Sequence, residues 1–277
     1  MNIKNKIKYL LTKLFTNKKK DYDTTTNGLG LEPDNKDDRD YEPIGVEEAL
    51  PTKFSLGGYV SKVEQQGSFN SCLGHAISTA VETFSKTRNW APNMYMELSR
   101  MHCWNEARKL SGTWPDNKGA GMRSGWKAAK DEGITLEKLF PYTKNNMTVE
   151  DIGIAAKIFR HWYPRWNYFY ITNPSHEDKE AAIKNALYNR QTIIAFGIGI
   201  TPSFSNPNKE NVYKPIEGET IRGGHALIIT GWDDTKEAFE IQNSWGTSWG
   251  DEGRILVNKE WILKEAFSIS YCDDILL

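Results

Sequence analysis

Cysteine is scarce in this chain, which has only Cys72, Cys103 and Cys272 among 277 residues. Three scattered cysteines do not form a disulfide framework, because an odd number leaves at least one thiol unpaired. Together with the five histidines they show no metal-binding spacing, so neither a metal nor another cofactor is expected. Low cysteine content of this kind favours a reducing compartment, similar to the cytoplasm.

The net charge is also small, and the apolar runs are short. The formal charge of -1 argues against nucleic acid as a partner, because nucleic-acid binding normally requires a clustered basic excess. No stretch reaches the roughly 20 apolar residues of a membrane-spanning helix, and no signal peptide is recognised. A hydrophobic content of 39% with 12% aromatics instead predicts a globular protein, which we expect to be a monomer.

The N-terminal fifth of the chain differs in composition from the rest. Residues 1–20 carry seven lysines, no acid, and apolar residues at helical spacing. This segment is either a basic amphipathic helix that docks on a membrane surface or a partner, or a solvated tail. Residues 21–49 contain ten acids and read as an acidic flexible linker. One globular domain is therefore expected over residues 50–277.

Within that domain, helical periodicity gives way to short apolar runs. The spacing predicts helices over 72–86, 99–110, 122–132 and 176–190. The later runs TIIAFGIGI, HALIITGWD, AFEIQNSW and GRILV predict strands. A helical half followed by a β half indicates an α+β fold with two lobes and a cleft between them.

Cys72 begins the first predicted helix, after the glycine- and serine-bearing loop QQGSFNS. At a helix N-terminus, unpaired backbone N–H groups favour a thiolate, which is the form that a nucleophile requires. The alternative is that Cys72 is a small buried core residue, as free cysteines commonly are.

A base and a residue to orient it are needed beside a nucleophilic thiol. His225 follows two glycines at the start of a predicted strand, and Asn243 ends the next one, so a hairpin would bring the two together. His75, one helical turn from Cys72, is the competing base but has no orienting partner in the sequence. Gln66, six residues before Cys72, could join the Cys72 N–H group in stabilising an oxyanion.

Three blocks of this sequence, QGSFNSCLG, GGHALIITGW and NSWGTSWGDEGRI, resemble the signature blocks of papain-like cysteine peptidases, in the same order along the chain. LSRMHCWNEARKLSG is similar to the second helix of bacterial and viral members. The resemblance covers about residues 50–270. It implies a papain-like fold, with an N-terminal helical lobe, a C-terminal lobe like an antiparallel β-barrel, and an active-site cleft between them.

The resemblance also implies a role for individual residues. Cys72 would be the nucleophile, His225 the acid and base, Asn243 its orienter and Gln66 the oxyanion donor in the hydrolysis of a peptide or protein substrate. The remaining substrate-site positions are Gly119 and Ala120 for backbone hydrogen bonds, Met122 and Ala226 in a side-chain pocket, and Trp245 as a shield over the Asn–His contact.

Some positions depart from the family pattern. Ala120 replaces a glycine, and Phe69 replaces a cysteine that usually forms a disulfide. The 49 residues before Leu50 do not match the longer inhibitory segment of family zymogens, so we expect either constitutive activity or occlusion of the cleft by the acidic linker. Two other functions stay open: a catalytically inactive peptide-binding protein, and a structural or membrane-associated protein that acts through residues 1–20.

Overall fold

The computed structural model describes residues 23, 25–35, 37, 49–89, 97–160, 166–172 and 175–274. The predicted basic segment 1–20 and His161 lie outside the described residues. The acidic stretch 21–49 is described only in part, and its interpretation as a flexible linker stays a prediction.

The helical lobe forms from the segments in which the sequence has helical periodicity. Helix α1 spans Cys72–Thr87 and α2 spans Arg100–Ser111. The side chain of Ser99 accepts a hydrogen bond from the His102 N–H group, as an N-cap residue does. Helix α3, Met122–Lys127, continues as a π-helical turn, Ala128–Glu132, and a short α4 spans Ile154–Phe159.

Helix α1 is the central element of the fold. Every residue from Cys72 to Phe84 is buried, because α2 and α3 cover one side and the β lobe covers the other. Gly74 permits close approach of α2, since a Cβ atom there would lie 2.5 Å from the Arg100 carbonyl oxygen. The first residue of α1, Cys72, consequently lies where the two lobes meet.

The β lobe is one antiparallel sheet with two helices, α5, His176–Tyr188, and α6, Lys259–Glu265. The strands are β1 Lys53–Ser55, β2 Trp166–Tyr170, β3 Ile194–Ile200, β4 Gly223–Asp233, β5 Ala238–Gln242, β6 Arg254–Asn258 and β7 Phe267–Asp274. They lie in the order β2-β7-β3-β4-β5-β6, with β1 paired to β4.

The structure confirms the predicted α+β fold with its helical and β lobes. The four strands predicted from apolar runs correspond to β3, β4, β5 and β6. Strands β1, β2 and β7 and helices α4 and α6 were not predicted. Strand β2 is a run of aromatic residues without period-2 alternation, so its sequence carries no clear strand signal.

Among the described residues, no helix combines the length and the apolar character needed to cross a membrane.

Candidate active site

Cys72 occupies the first position of α1, next to the β lobe. Its side chain is fully buried. Burial raises the pKa of the Cys72 thiol, and the backbone N–H groups of Ala226 and Gly30 oppose this shift by favouring the thiolate. The sulfur therefore contacts the residue that follows His225 on β4.

His225 and Asn243 form the hydrogen-bonded pair that the hairpin prediction requires. Strands β4 and β5 are antiparallel, with Ile228 opposite Gln242. This register brings Asn243, the residue after the end of β5, close to His225 near the start of β4. Nε2 of His225 lies 2.8 Å from Oδ1 of Asn243. Because an amide oxygen only accepts, Nε2 is assigned the proton, and Nδ1 is the basic nitrogen. Nδ1 has no hydrogen-bond partner among the described residues.

Trp245 covers this pair. Its ring centroid lies 4.7 Å from that of His225, with the two planes tilted by 33°. Phe204 and Trp249 surround the indole on its other sides, so the cover is an aromatic cluster. Burial lowers the pKa of His225 to about 4, although the Asn243 hydrogen bond acts in the opposite direction. Burial thus acts on both groups in the same sense, because it raises the pKa of the Cys72 thiol and lowers that of the His225 imidazole.

The Gln66 amide is held at both ends. Its Oε1 accepts from the Ser244 hydroxyl at 2.7 Å, and this contact fixes which end of the amide carries the donor. Nε2 donates to the carbonyl oxygens of Gly28, at 3.0 Å, and Phe69, at 2.8 Å. A side-chain amide fixed in this way is suited to donating to an oxyanion.

The opposite wall of the cleft is the loop that ends in Gly119 and Ala120. Polar side chains of α2 and the loop hold it: the Trp104 indole donates to the Lys118 carbonyl at 3.1 Å, and the Thr113 hydroxyl donates to the Gly119 carbonyl at 2.8 Å. Beyond the loop, Met122 is fully buried at the start of α3. Gly119 and Ala120 thus present backbone, with little side chain, to the cleft.

Residues 25–35, here called the N-terminal strap, lie in the cleft itself. Gly28 N–H donates to the Gly67 carbonyl at 2.9 Å, and Leu31 N–H donates to the Gly224 carbonyl at 3.1 Å. Glu32 pairs with Gly121 in a parallel bridge. The strap therefore contacts both walls and passes over Cys72.

The other three histidines that the structure describes make no contact with His225 or Asn243 in this arrangement. His75, the competing base in the sequence, is buried, and its ring packs edge-on against Tyr142 with centroids 4.9 Å apart. His102 is buried in α2 and accepts from the Thr135 N–H group, while His176 is exposed at the start of α5.

Sequence reasoning missed two polar residues of the site. Ser244 orients Gln66, and its N–H group also donates to Asn243 Oδ1 at 2.7 Å. Tyr142 donates its hydroxyl to the Gln66 carbonyl at 3.0 Å and is hydrogen-bonded to Ser71. Ser244 lies inside the block NSWGTSWGDEGRI, so the sequence carries a signal for it, whereas nothing in the local sequence marks Tyr142.

The fold is shared with solved structures of cysteine proteases. Xylellain, a cysteine protease from Xylella fastidiosa, superposes with a TM-score of 0.77 at 22% identity, covering 94% of this chain and 99% of its own. A cysteine protease from Carica candamarcensis in complex with E-64 gives a TM-score of 0.61 at 18% identity over 81% of this chain and 99% of its own. At these identities the likeness establishes the fold.

Sequence comparison gives the family. A profile of the papain family of cysteine proteases matches residues 51–268, so the chain belongs to that family. It is 26% identical over 210 residues to an uncharacterised peptidase C1-like protein of Acanthamoeba polyphaga mimivirus, covering 72% of this chain and 65% of the relative. A cathepsin L-like proteinase of Fasciola hepatica is 23% identical, over 75% of this chain and 60% of its own. The chain thus spans less than two thirds of the length of these curated relatives.

Proposed function

We propose that this protein is a cysteine peptidase that hydrolyses peptide bonds through a thioester intermediate. The observation that carries the proposal is the hydrogen bond between His225 and Asn243. The residue after His225, Ala226, directs its backbone N–H group at the Cys72 sulfur, which supports a role for the three residues in one site. The Gln66 amide, which Ser244 holds in one orientation, supports the proposal as a donor to the oxyanion. Membership of the papain family supports the same reaction class.

Each residue has one task in the proposed reaction. Nδ1 of His225 takes the Cys72 proton, and the sulfur forms a bond to the peptide carbonyl carbon while Gln66 and the Cys72 N–H group donate to the oxyanion. The carbon–nitrogen bond then breaks as His225 returns the proton to the leaving amine. A water molecule, deprotonated by His225, cleaves the thioester and releases a carboxylic acid and the free thiol.

The test is hydrolysis of a fluorogenic peptide library under reducing conditions by the full chain and by Cys72→Ala. We expect turnover in the wild type and a loss on the order of 10⁴-fold or more in the variant, because the nucleophile is removed. Gln66→Ala should lower turnover on the order of 100-fold, the effect of one oxyanion donor. Turnover that survives Cys72→Ala would reject the proposal.

A catalytically inactive peptide-binding protein is the second candidate. One observation favours it: the strap, which is part of the same chain, already lies in the cleft as a bound peptide would. The His225–Asn243 hydrogen bond and the Gln66 amide held by Ser244, together with the thiol of Cys72 at the start of α1, favour the enzyme instead. The same assay separates the two candidates, because a binding protein would show no turnover under any reducing condition.

We further propose a monomer that acts on a peptide or protein substrate in a reducing compartment. All three cysteines are free and buried, which fits such a compartment. Contact with a membrane or partner through residues 1–20 is a separate proposal, based on their lysines and apolar spacing. Sedimentation of the full chain with anionic vesicles, compared with a chain lacking residues 1–20, tests it.

A further inference from the structure

The hydroxyl group of Tyr142 joins the two ends of the loop 67–70. It donates to the Gln66 carbonyl at 3.0 Å and is also hydrogen-bonded to the Ser71 hydroxyl. A carbonyl only accepts and a phenol carries one hydrogen, so Ser71 is assigned as the donor in the second bond. The two bonds therefore run in one direction, from Ser71 through Tyr142 to Gln66.

Each end of this link lies next to a donor of the proposed oxyanion site. Gln66 carries the side-chain amide, and the peptide unit between Ser71 and Cys72 carries the Cys72 N–H group. All three cysteines of the chain are free, so no disulfide ties the loop between these two donors. Their separation consequently depends on noncovalent contacts such as those of Tyr142.

The Ser71 hydroxyl serves Tyr142 and not the helix that it precedes. Ser99, which precedes α2, accepts from a helical N–H group, whereas among the described residues the Ser71 side chain caps no N–H group of α1. A serine at this position normally forms such a cap. The hydrogen bond between Ser71 and Tyr142 therefore takes the place of a helix cap.

Tyr142 is itself held by its neighbours. Its N–H group donates to Glu137 Oε1 at 2.5 Å. Its ring packs edge-on against Phe69, with centroids 5.6 Å apart, and against His75, with centroids 4.9 Å apart. A side chain fixed by packing and by hydrogen bonds can hold the groups that it contacts in one geometry.

We propose that Tyr142 is a positioning residue of the oxyanion site, because its hydroxyl fixes the separation of the Gln66 amide and the Cys72 N–H group. This inference rests on the proposed peptidase function and adds a residue to the same site. Donors that are already in place when the oxyanion forms stabilise it without reorganisation. Loss of the hydroxyl should therefore weaken binding of the oxyanion and leave the thiol itself in place.

The experiment compares the full chain with Tyr142→Phe, which keeps the ring and removes only the hydroxyl. The matched control is Tyr213→Phe in the β lobe, whose hydroxyl is likewise hydrogen-bonded to two side chains, Thr201 at 3.0 Å and Ser203 at 2.9 Å. Four quantities are measured: kcat and KM for a fluorogenic peptide, the dissociation constant of a peptide aldehyde, and the rate of Cys72 alkylation by iodoacetamide.

The two reagents separate the oxyanion site from the thiol. The Cys72 sulfur adds to the aldehyde carbon, the thiol proton passes to the aldehyde oxygen, and the resulting hemithioacetal places that oxygen at the oxyanion donors. Alkylation forms a sulfur–carbon bond and releases iodide and a proton, so no oxyanion develops in that reaction. Its rate reports on the thiol alone.

We expect Tyr142→Phe to lower kcat and the affinity for the aldehyde by about 10-fold each, with changes of less than about 2-fold in KM and in the alkylation rate. Tyr213→Phe should change all four quantities by less than about 2-fold. Ser71→Ala, which breaks the link at its other end, should lower the same two quantities. The double variant Tyr142→Phe/Ser71→Ala should be no slower than Tyr142→Phe, because the two residues act through one link.

Unchanged kcat and aldehyde affinity in Tyr142→Phe would overturn the inference. A fall in the alkylation rate equal to the fall in kcat would also overturn it, because the damage would then lie at the thiol. Weaker aldehyde binding in the variant, together with a wild type that hydrolyses no peptide, would support the positioning role and reject the peptidase function. Turnover by the wild type that is unchanged in Tyr142→Phe would do the reverse.

Discussion

Ser244 is a single residue that contacts two of the proposed catalytic groups. Its hydroxyl holds the Gln66 amide and its N–H group holds Asn243 Oδ1. Without the hydroxyl, Gln66 could rotate and present its oxygen, instead of its nitrogen, to the developing oxyanion. Asn243 would be unaffected, because its contact is with the Ser244 backbone.

We therefore expect Ser244→Ala to lower kcat about 10-fold, less than loss of Gln66 itself, with little change in KM. The double variant Ser244→Ala/Gln66→Ala should be no slower than Gln66→Ala, because the serine acts through the glutamine. Steady-state hydrolysis of a fluorogenic peptide by the full chain measures this. The exposed Ser205→Ala is the control, and additive losses in the double variant would contradict the assignment.

The Cys72 thiol gives a pH prediction. Burial raises its pKa above the usual 9.0, so in the wild type the reactive thiolate forms only in more alkaline solution. The rate of Cys72 alkylation by iodoacetamide, located by mass spectrometry and plotted against pH, should accordingly have its midpoint at higher pH than that of free cysteine measured alongside. A midpoint at or below that of free cysteine would contradict the effect of burial.

Helices α1 and α2 are joined by a buried ion pair. The Arg100 guanidinium donates to both carboxylate oxygens of Glu82, at 2.7 and 2.9 Å, and Glu82 also accepts from the Leu98 N–H group at 2.6 Å. The pair fixes the position of the start of α2. This helix carries Trp104 and Arg108, whose side chains donate to backbone carbonyl groups of the loop that ends in Gly119.

Arg100→Met should lower the free energy of unfolding by about 3–5 kcal/mol, because it leaves the Glu82 carboxylate buried without its counter-charge. Changing Glu82 to Gln in the same chain should recover part of the loss. Lys109→Met, which breaks the half-exposed pair with Glu106, is the control and should cost less than about 1 kcal/mol. Urea denaturation measures all three, and equal losses for both single variants would refute the argument.

The stability of the whole molecule depends on pH through the carboxyl group of Glu137. Burial raises the pKa of Glu137 to about 8, with Arg100 acting in the opposite direction. A carboxyl group with a folded-state pKa above its unfolded value of 4.5 favours folding fully below pH 4.5, and this contribution is lost as pH rises through about 8.

We expect the stability of the protein to fall between about pH 5 and pH 8 from this group, and Glu137→Gln to flatten that part of the profile. Thermal unfolding at a series of pH values, with the exposed Glu217→Gln as control, provides the measurement. An unchanged slope in Glu137→Gln would exclude Glu137 as its source.

Local patterns predicted a large part of the fold and the candidate site. The periodicity after Cys72, the Ser99 and Ser175 caps and the apolar runs of β3 to β6 act over a few residues, and the structure has the corresponding elements. Strand β7 and the Glu82–Arg100 pair were not predicted, because they depend on partners that only the folded chain brings near.

The blocks around Gln66, Cys72, His225 and Asn243 resemble the signature blocks of papain-like peptidases in the same order, and this resemblance pointed to a thiol hydrolase. Folding decided whether those groups are open to substrate. Leu31 meets Gly224, and Asp34 meets Arg123, Tyr170 and Ser268, across long sequence separations. A short acidic, glycine-bearing segment has no periodicity of its own, so its position in the cleft arises from the complementary shape and hydrogen-bonding groups of two lobes that exist only once the chain is folded.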